Sequence, residues 1–133
     1  MSHLHFLHQN HIMLTIYHNP RCSKSREALT LTEAFAAQQG LELTVVDYQK
    51  TPLSLAQLKE LHQLLQAQGA VSVRAMLRDN EEEFSSLQLS DADDARLLEA
   101  LASHPKLLQR PVVRFNQAAV IARPPELVHS ILK

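Results

Sequence analysis

Near the start of the chain a short β-branched run, Leu14-Thr15-Ile16-Tyr17, leads into a helical stretch from Ser23 to Gln39, then a second β run from Leu43 to Tyr48. This order constrains the fold more than any other feature of the sequence. Two strands joined through a helix form a parallel pair, and the crossover between them is almost always right-handed. Asn19-Pro20 ends the first strand with a turn signal. Ala28, Leu29, Leu31, Thr32 and Phe35 give the helix an apolar stripe, and Gly40 is its expected stop.

The remainder alternates helix signals with one strand pair. Ser54 and Gln57 have the form of a capping box, ahead of Leu55, Leu58, Leu61, Leu64 and Leu65 at helical spacing, with Gly69 expected to close the helix. Short helices are expected over Val73 to Leu77 and Glu81 to Leu87. Ser90 and Asp93 repeat the capping pattern before a helix over Ala95 to Ser103, which His104-Pro105 ends. Val112 to Phe115 and Ala119 to Ile121 flank the turn Asn116-Gln117 and read as a hairpin. Pro124 to Leu132 reads as a closing helix with proline in its first turn. The fold class is therefore α/β, in the order βαβ, several helices, ββα.

A chain of 133 residues suits one domain, placed at residues 13–133. Residues 1–12, with His3, His5, His8 and His11, read as a disordered N-terminal extension. A net charge of −1 gives no basic field for nucleic acid, and no apolar run approaches the ~18 residues of a membrane span. Two glycines are too few for a glycine-rich phosphate loop. A single cysteine makes no internal disulfide, which fits a reducing, cytoplasmic setting.

That cysteine, Cys22, falls at the turn between the first strand and the first helix. There the free backbone N–H groups and the helix dipole favour an anion, and a thiolate is one. Arg21, Lys24 and Arg26 add positive charge. His18 is placed to lie beside the sulfur and help ionise it, and Ser23 and Ser25 can donate to a thiolate or a bound oxyanion. An inert, packed thiol would prefer apolar surroundings. A Cys-x-x-Cys pair is absent, because Ser25 takes the second position, so an outside thiol must relieve any oxidised state. A tyrosine-phosphatase loop needs arginine six positions after the cysteine, whereas Arg26 stands four after it.

The segment "LTIYHNPRCSKSR" resembles the opening motif of the glutaredoxin-coupled arsenate reductase family. "VSVRAMLRDNEEEFSSLQL", "HPKLLQRPVV" and "ARPPELV" resemble its later motifs, in the same order, so that the likeness runs from about Met13 to Leu132. The resemblance implies a thioredoxin-like fold, a mixed four-stranded sheet with a helical insertion between the βαβ and ββα halves. It implies that Cys22 is the nucleophile and that His18 assists its ionisation. It further implies that Arg78, Arg110 and Arg123 surround the oxyanion and that Pro111 is the cis-proline of such folds. The implied reaction reduces arsenate to arsenite through a Cys22–arsenic intermediate, with glutathione as co-substrate, glutaredoxin as partner, and no bound cofactor or metal. Ser23 and Lys24 depart from the glycine and threonine of the best-known members, which bears on oxyanion selectivity. Two other readings share these features. One is a glutathione-dependent monothiol oxidoreductase acting on something other than arsenate. The other is a redox-sensing transcription regulator of the same fold, although Ser25 removes the usual intramolecular switch.

Overall fold

The computed structural model describes residues 12–133; the histidine-rich extension expected over residues 1–12 lies, but for Ile12, outside them. Strand β1, Leu14–His18, runs into helix α1, Ser23–Gln39, and on to strand β2, Thr44–Asp47. β1 and β2 are parallel, pairing Ile16 with Val45 and His18 with Asp47. Helix α2, Leu55–Gly69, begins the insertion, followed by α3, Glu82–Ser86, and α4, Asp94–Ser103. Strands β3, Val112–Phe115, and β4, Ala118–Ile121, form an antiparallel hairpin, and β3 is also antiparallel to β1. The sheet order β2-β1-β3-β4 is the mixed four-stranded, thioredoxin-like arrangement.

Because side chains alternate across a strand, the sheet separates two cores. Leu14, Ile16 and Val113 face α1 and the C-terminal segment, where Ala28, Ala122 and Val128 are buried. Val112 and Ala119 face the insertion, where Leu58, Leu61, Leu65, Leu97 and Leu101 are buried. Full burial of a leucine contributes ~1.5–3 kcal/mol, so these leucines anchor the insertion against the sheet. None of the described helices is long and apolar enough to cross a membrane.

Several local expectations hold and others shift. The Ser54 capping box is formed in both directions, at 2.8 and 3.1 Å. Gly40 adopts φ 68° and caps α1. Gly69, by contrast, stays inside α2, and Ala70 takes the left-handed cap at φ 57°. Asp93, not Ser90, caps α4, accepting from the Arg96 N–H at 2.9 Å. The segments read as helices over Val73 to Leu77 and Pro124 to Leu132 are 3₁₀ turns, Arg74–Met76 and Pro125–Ser130. Short segments pinned at both ends favour the tighter turn over a costly α-nucleus. The Arg110–Pro111 bond is cis, as the resemblance implied, and so is Arg123–Pro124, which was not anticipated.

Candidate active site

The open ends of β1 and β2, the N-terminus of α1 and the turns before β3 and after β4 meet at one end of the sheet. Cys22 sits there as the N-cap of α1, with extended backbone and no side-chain cap bond. Its own N–H donates to the Asn19 carbonyl at 3.0 Å, which closes the turn. The sulfur is thereby left facing the free amides of the first helical turn.

Burial alone raises the Cys22 thiol pKa. The backbone N–H of Ser25, the charge of Arg110, the N–H of Lys24 and the Arg123 guanidinium together outweigh it, and the thiol lies below its ordinary 9.0. The Arg123 Nη1 lies 3.8 Å from Sγ and also donates to the Arg110 carbonyl at 3.1 Å. A residue 101 positions downstream thus ties the sulfur to the loop of the first cis-proline.

The cations nearest in sequence act elsewhere. Arg26 donates to the Pro20 carbonyl at 3.0 Å and staples the loop. Lys24 pairs with Glu27 at 3.7 Å on the exposed face of α1, so only its amide meets the sulfur. The bulky cation in the anion loop therefore points out of it.

His18 is buried, and its Nδ1 lies 2.8 Å from the Ser25 Oγ. The same hydroxyl accepts from the Asn19 N–H at 2.9 Å. Ser25 is fully buried, so it meets the sulfur through its amide while its hydroxyl is engaged by His18 and Asn19. His18 thus reaches Cys22 through Ser25. Burial pushes the His18 pKa below 6.5 despite the Asp47 carboxylate, which keeps the ring neutral near pH 7.

Arg123 contacts Cys22 directly and Arg110 acts on it through its charge, whereas Arg78 has no direct link to the sulfur. The Arg78 N–H donates to the Leu107 carbonyl and the Gln109 N–H to the Met76 carbonyl, both at 2.7 Å. This bridge holds the Arg78 and Arg110 segments side by side. The Arg78 guanidinium donates to Glu81 at 2.6 Å. Arg78 and Arg110 both act on the phenol of Tyr48, at the end of β2, whose pKa burial raises.

Tyr48 was not anticipated as part of the site. It is 1% exposed; its hydroxyl makes no hydrogen bond of full geometry, although the Asn19 and Gln49 side chains stand near enough to pull its pKa down against burial, and the Arg110 Nε has no hydrogen-bond partner. Buried polar groups are nearly always paired, so the Arg110 Nε marks unfilled hydrogen-bonding capacity at the base of the site. No sequence signal picks out Tyr48, whereas the i,i+3 spacing of Arg78 and Glu81 could have suggested their pairing.

Two further arginines are structural. Arg114 is buried beside Glu60 at 3.2 Å and donates to the Asn116 carbonyl. Arg74 clamps the α3–α4 connection through the Leu89 and Ala92 carbonyls. A cleft of about 410 Å³ runs over β1 and β2 beside Arg114 and contains none of the expected site residues. A smaller one of about 280 Å³ adjoins the Cys22 loop.

The chain is similar to known proteins over most of its length. The profile of the ArsC family matches residues 17–131. An Escherichia coli protein described as uncharacterized protein YfgD is 42% identical over 119 residues, covering 88% of this chain and 94% of that one. An arsenate reductase of Neisseria meningitidis is 40% identical over 121 residues, covering 90% and 97%. Among solved structures, an arsenate reductase from Vibrio cholerae superposes with a TM-score of 0.78 at 44% identity, covering 90% of this chain and 98% of that one.

Proposed function

Because the chain belongs to the ArsC family, we propose that it is an arsenate reductase that draws its electrons from glutathione and glutaredoxin in the cytoplasm. The observation that carries this reading is the Cys22 sulfur at an open helix N-terminus with the Arg123 guanidinium 3.8 Å away. A nucleophile that is itself an anion must approach an anion, and the surrounding guanidinium groups offset that repulsion. They also orient the oxyanion by forked hydrogen bonds and stabilise charge on the departing oxygen.

The Cys22 thiolate attacks arsenic. A sulfur–arsenic bond forms, one arsenic–oxygen bond breaks, and the oxygen takes up protons and leaves as water. The glutathione thiol repeats this exchange on the same arsenic and a second water departs. A glutaredoxin thiolate then attacks the glutathione sulfur. That sulfur–arsenic bond breaks and its electron pair stays on arsenic, which falls from pentavalent to trivalent. The two reductants leave joined as a mixed disulfide. Water hydrolyses the remaining bond, releasing arsenite and the Cys22 thiol. Arg110 and Arg123 hold the oxyanion at the sulfur, Arg78 closes on it from the insertion, and neutral His18 fixes Ser25 so that its amide faces the thiolate.

The test is arsenate-dependent NADPH consumption with glutathione, glutaredoxin and glutathione reductase. Cys22→Ser abolishes turnover. Arg110→Ala lowers kcat/KM for arsenate about ten- to a hundredfold, the value of a hydrogen bond to a charged group. Absence of turnover in folded, reduced wild type would overturn the arsenate reading and leave the reactive thiol in search of another substrate.

A further inference from the structure

The smaller cleft has no part in holding the oxyanion. One wall is Asn19, Pro20 and Arg21, the residues immediately before Cys22, and the other is Asp47, Gln49 and Lys50, the turn after β2. Anything seated there is within one residue of the nucleophile's backbone. The arginines that hold the oxyanion approach the sulfur from the loops of the two cis-prolines, which contribute nothing to this cleft.

The lining has a definite charge pattern. Arg21 and Lys50 are exposed, and among the described residues neither forms an ion pair. Asp47 adds one carboxylate, of which Oδ1 accepts from the Gln49 N–H at 3.1 Å. The Asn19 Oδ1 accepts from the Arg21 N–H at 3.0 Å, and the Asn19 and Gln49 side chains also approach the Tyr48 phenol. The cleft therefore presents two cations, one anion and two carboxamides. The chain also has one cysteine only, so its cycle needs a thiol from outside.

We propose that this cleft seats that thiol, a tripeptide of the glutathione type, with Arg21 and Lys50 on its two carboxylates and Asp47 on its ammonium. The inference rests on the glutathione-dependent reading above and adds where the co-substrate binds. Glutathione carries two carboxylates and one ammonium, so its charges match those of the cleft one for one. Exposed ion pairs are individually weak, so the seat is of low affinity, on the order of millimolar. That suits a co-substrate that must leave as part of a mixed disulfide.

Two measurements on the full chain test it. Titration of ¹⁵N-labelled protein with S-methylglutathione, which cannot react, gives saturable shifts at the amides of Arg21, Gln49 and Lys50. Shifts confined to other surfaces, or none at tens of millimolar, would overturn the proposal. In steady state, Arg21→Glu and Lys50→Glu each raise the KM for glutathione by about tenfold and leave the KM for arsenate within twofold. An unchanged glutathione KM in the double variant would also overturn it. The glycine monoethyl ester of glutathione, which lacks the glycine carboxylate charge, loses the penalty of one charge reversal only. Wild type that binds S-methylglutathione in the cleft without reducing arsenate would sink the arsenate reading and keep the seat. Wild type that reduces arsenate with no shift in the cleft would sink the seat alone.

Discussion

At Cys22 the groups that matter to the thiol are those brought by the fold. The Ser25 and Lys24 amides, Arg110 and Arg123 hold its pKa below 9.0 against the opposing effect of burial. A depressed thiol pKa means that folding favours the thiolate. The resulting stability is present above the unfolded pKa and is lost as pH falls through the lower folded value. Arg123→Ala removes one of these groups, so the midpoint of iodoacetamide alkylation against pH moves upward, toward 9.0, and alkylation at pH 7 slows. A midpoint unmoved by the substitution would show that the helix amides and Arg110 alone set it. The Tyr48 hydroxyl gives a prediction of the opposite kind. A buried group without a partner costs about 1–3 kcal/mol, so Tyr48→Phe leaves stability unchanged or raises it by about 1 kcal/mol in urea denaturation at constant m. A loss of stability would mean that the phenol has a partner in solution. His18 adds a further pH term. Its folded pKa lies below 6.5, so it contributes stability above 6.5 that is lost as pH falls through the folded value.

Elements whose signals are local were legible in the sequence, and those that depend on what they touch were not. Helix α1 was placed at Ser23 to Gln39 because an apolar stripe and a C-terminal glycine agree. The hairpin of β3 and β4 followed from its turn residues. The end of α2 was misplaced by one residue: Gly69 is the natural stop, yet the chain turns at Ala70, where φ is 57°. The left-handed conformation costs an L-residue roughly 1–2 kcal/mol. Ala70→Gly therefore stabilises the protein by about 0.5–1 kcal/mol, after allowance for the entropy glycine loses on folding. Gly40→Ala, at φ 68° with open space around it, destabilises by a similar amount. Thermal denaturation of both variants checks the pair, and opposite signs are the required result. The short segments near Val73 and Pro125 read as helices because periodicity does not distinguish one turn of α from one turn of 3₁₀.

Across the whole molecule, the proposed site forms only when three separate parts of the chain are docked. Cys22 comes from the βαβ half, Arg110 and Arg123 from the ββα half, and Arg78 from the insertion that the Leu77–Leu108 bridge holds against them. The motifs made these residues legible, since each lies in a recognisable segment. Their partners were not legible, because Tyr48 and Glu81 acquire their roles from tertiary contacts that no local pattern encodes. Of the two, Glu81 bears directly on the proposed oxyanion ligand Arg78. It holds the Arg78 guanidinium at 2.6 Å, with the two side chains only 17% and 24% exposed. An oxyanion of the same sign must share that guanidinium with Glu81 or displace the carboxylate. Glu81→Gln removes the competing charge while keeping a similar side chain. The variant's KM for arsenate falls about two- to fivefold, the value of a partly exposed ion pair, and its KM for glutathione does not move. The fall is largest at low ionic strength, because salt screens the competition in the wild type. A rise in the arsenate KM would reverse the assignment. Glu81 would then hold Arg78 in the pose that binds, and the ion pair would be part of the oxyanion site rather than its rival.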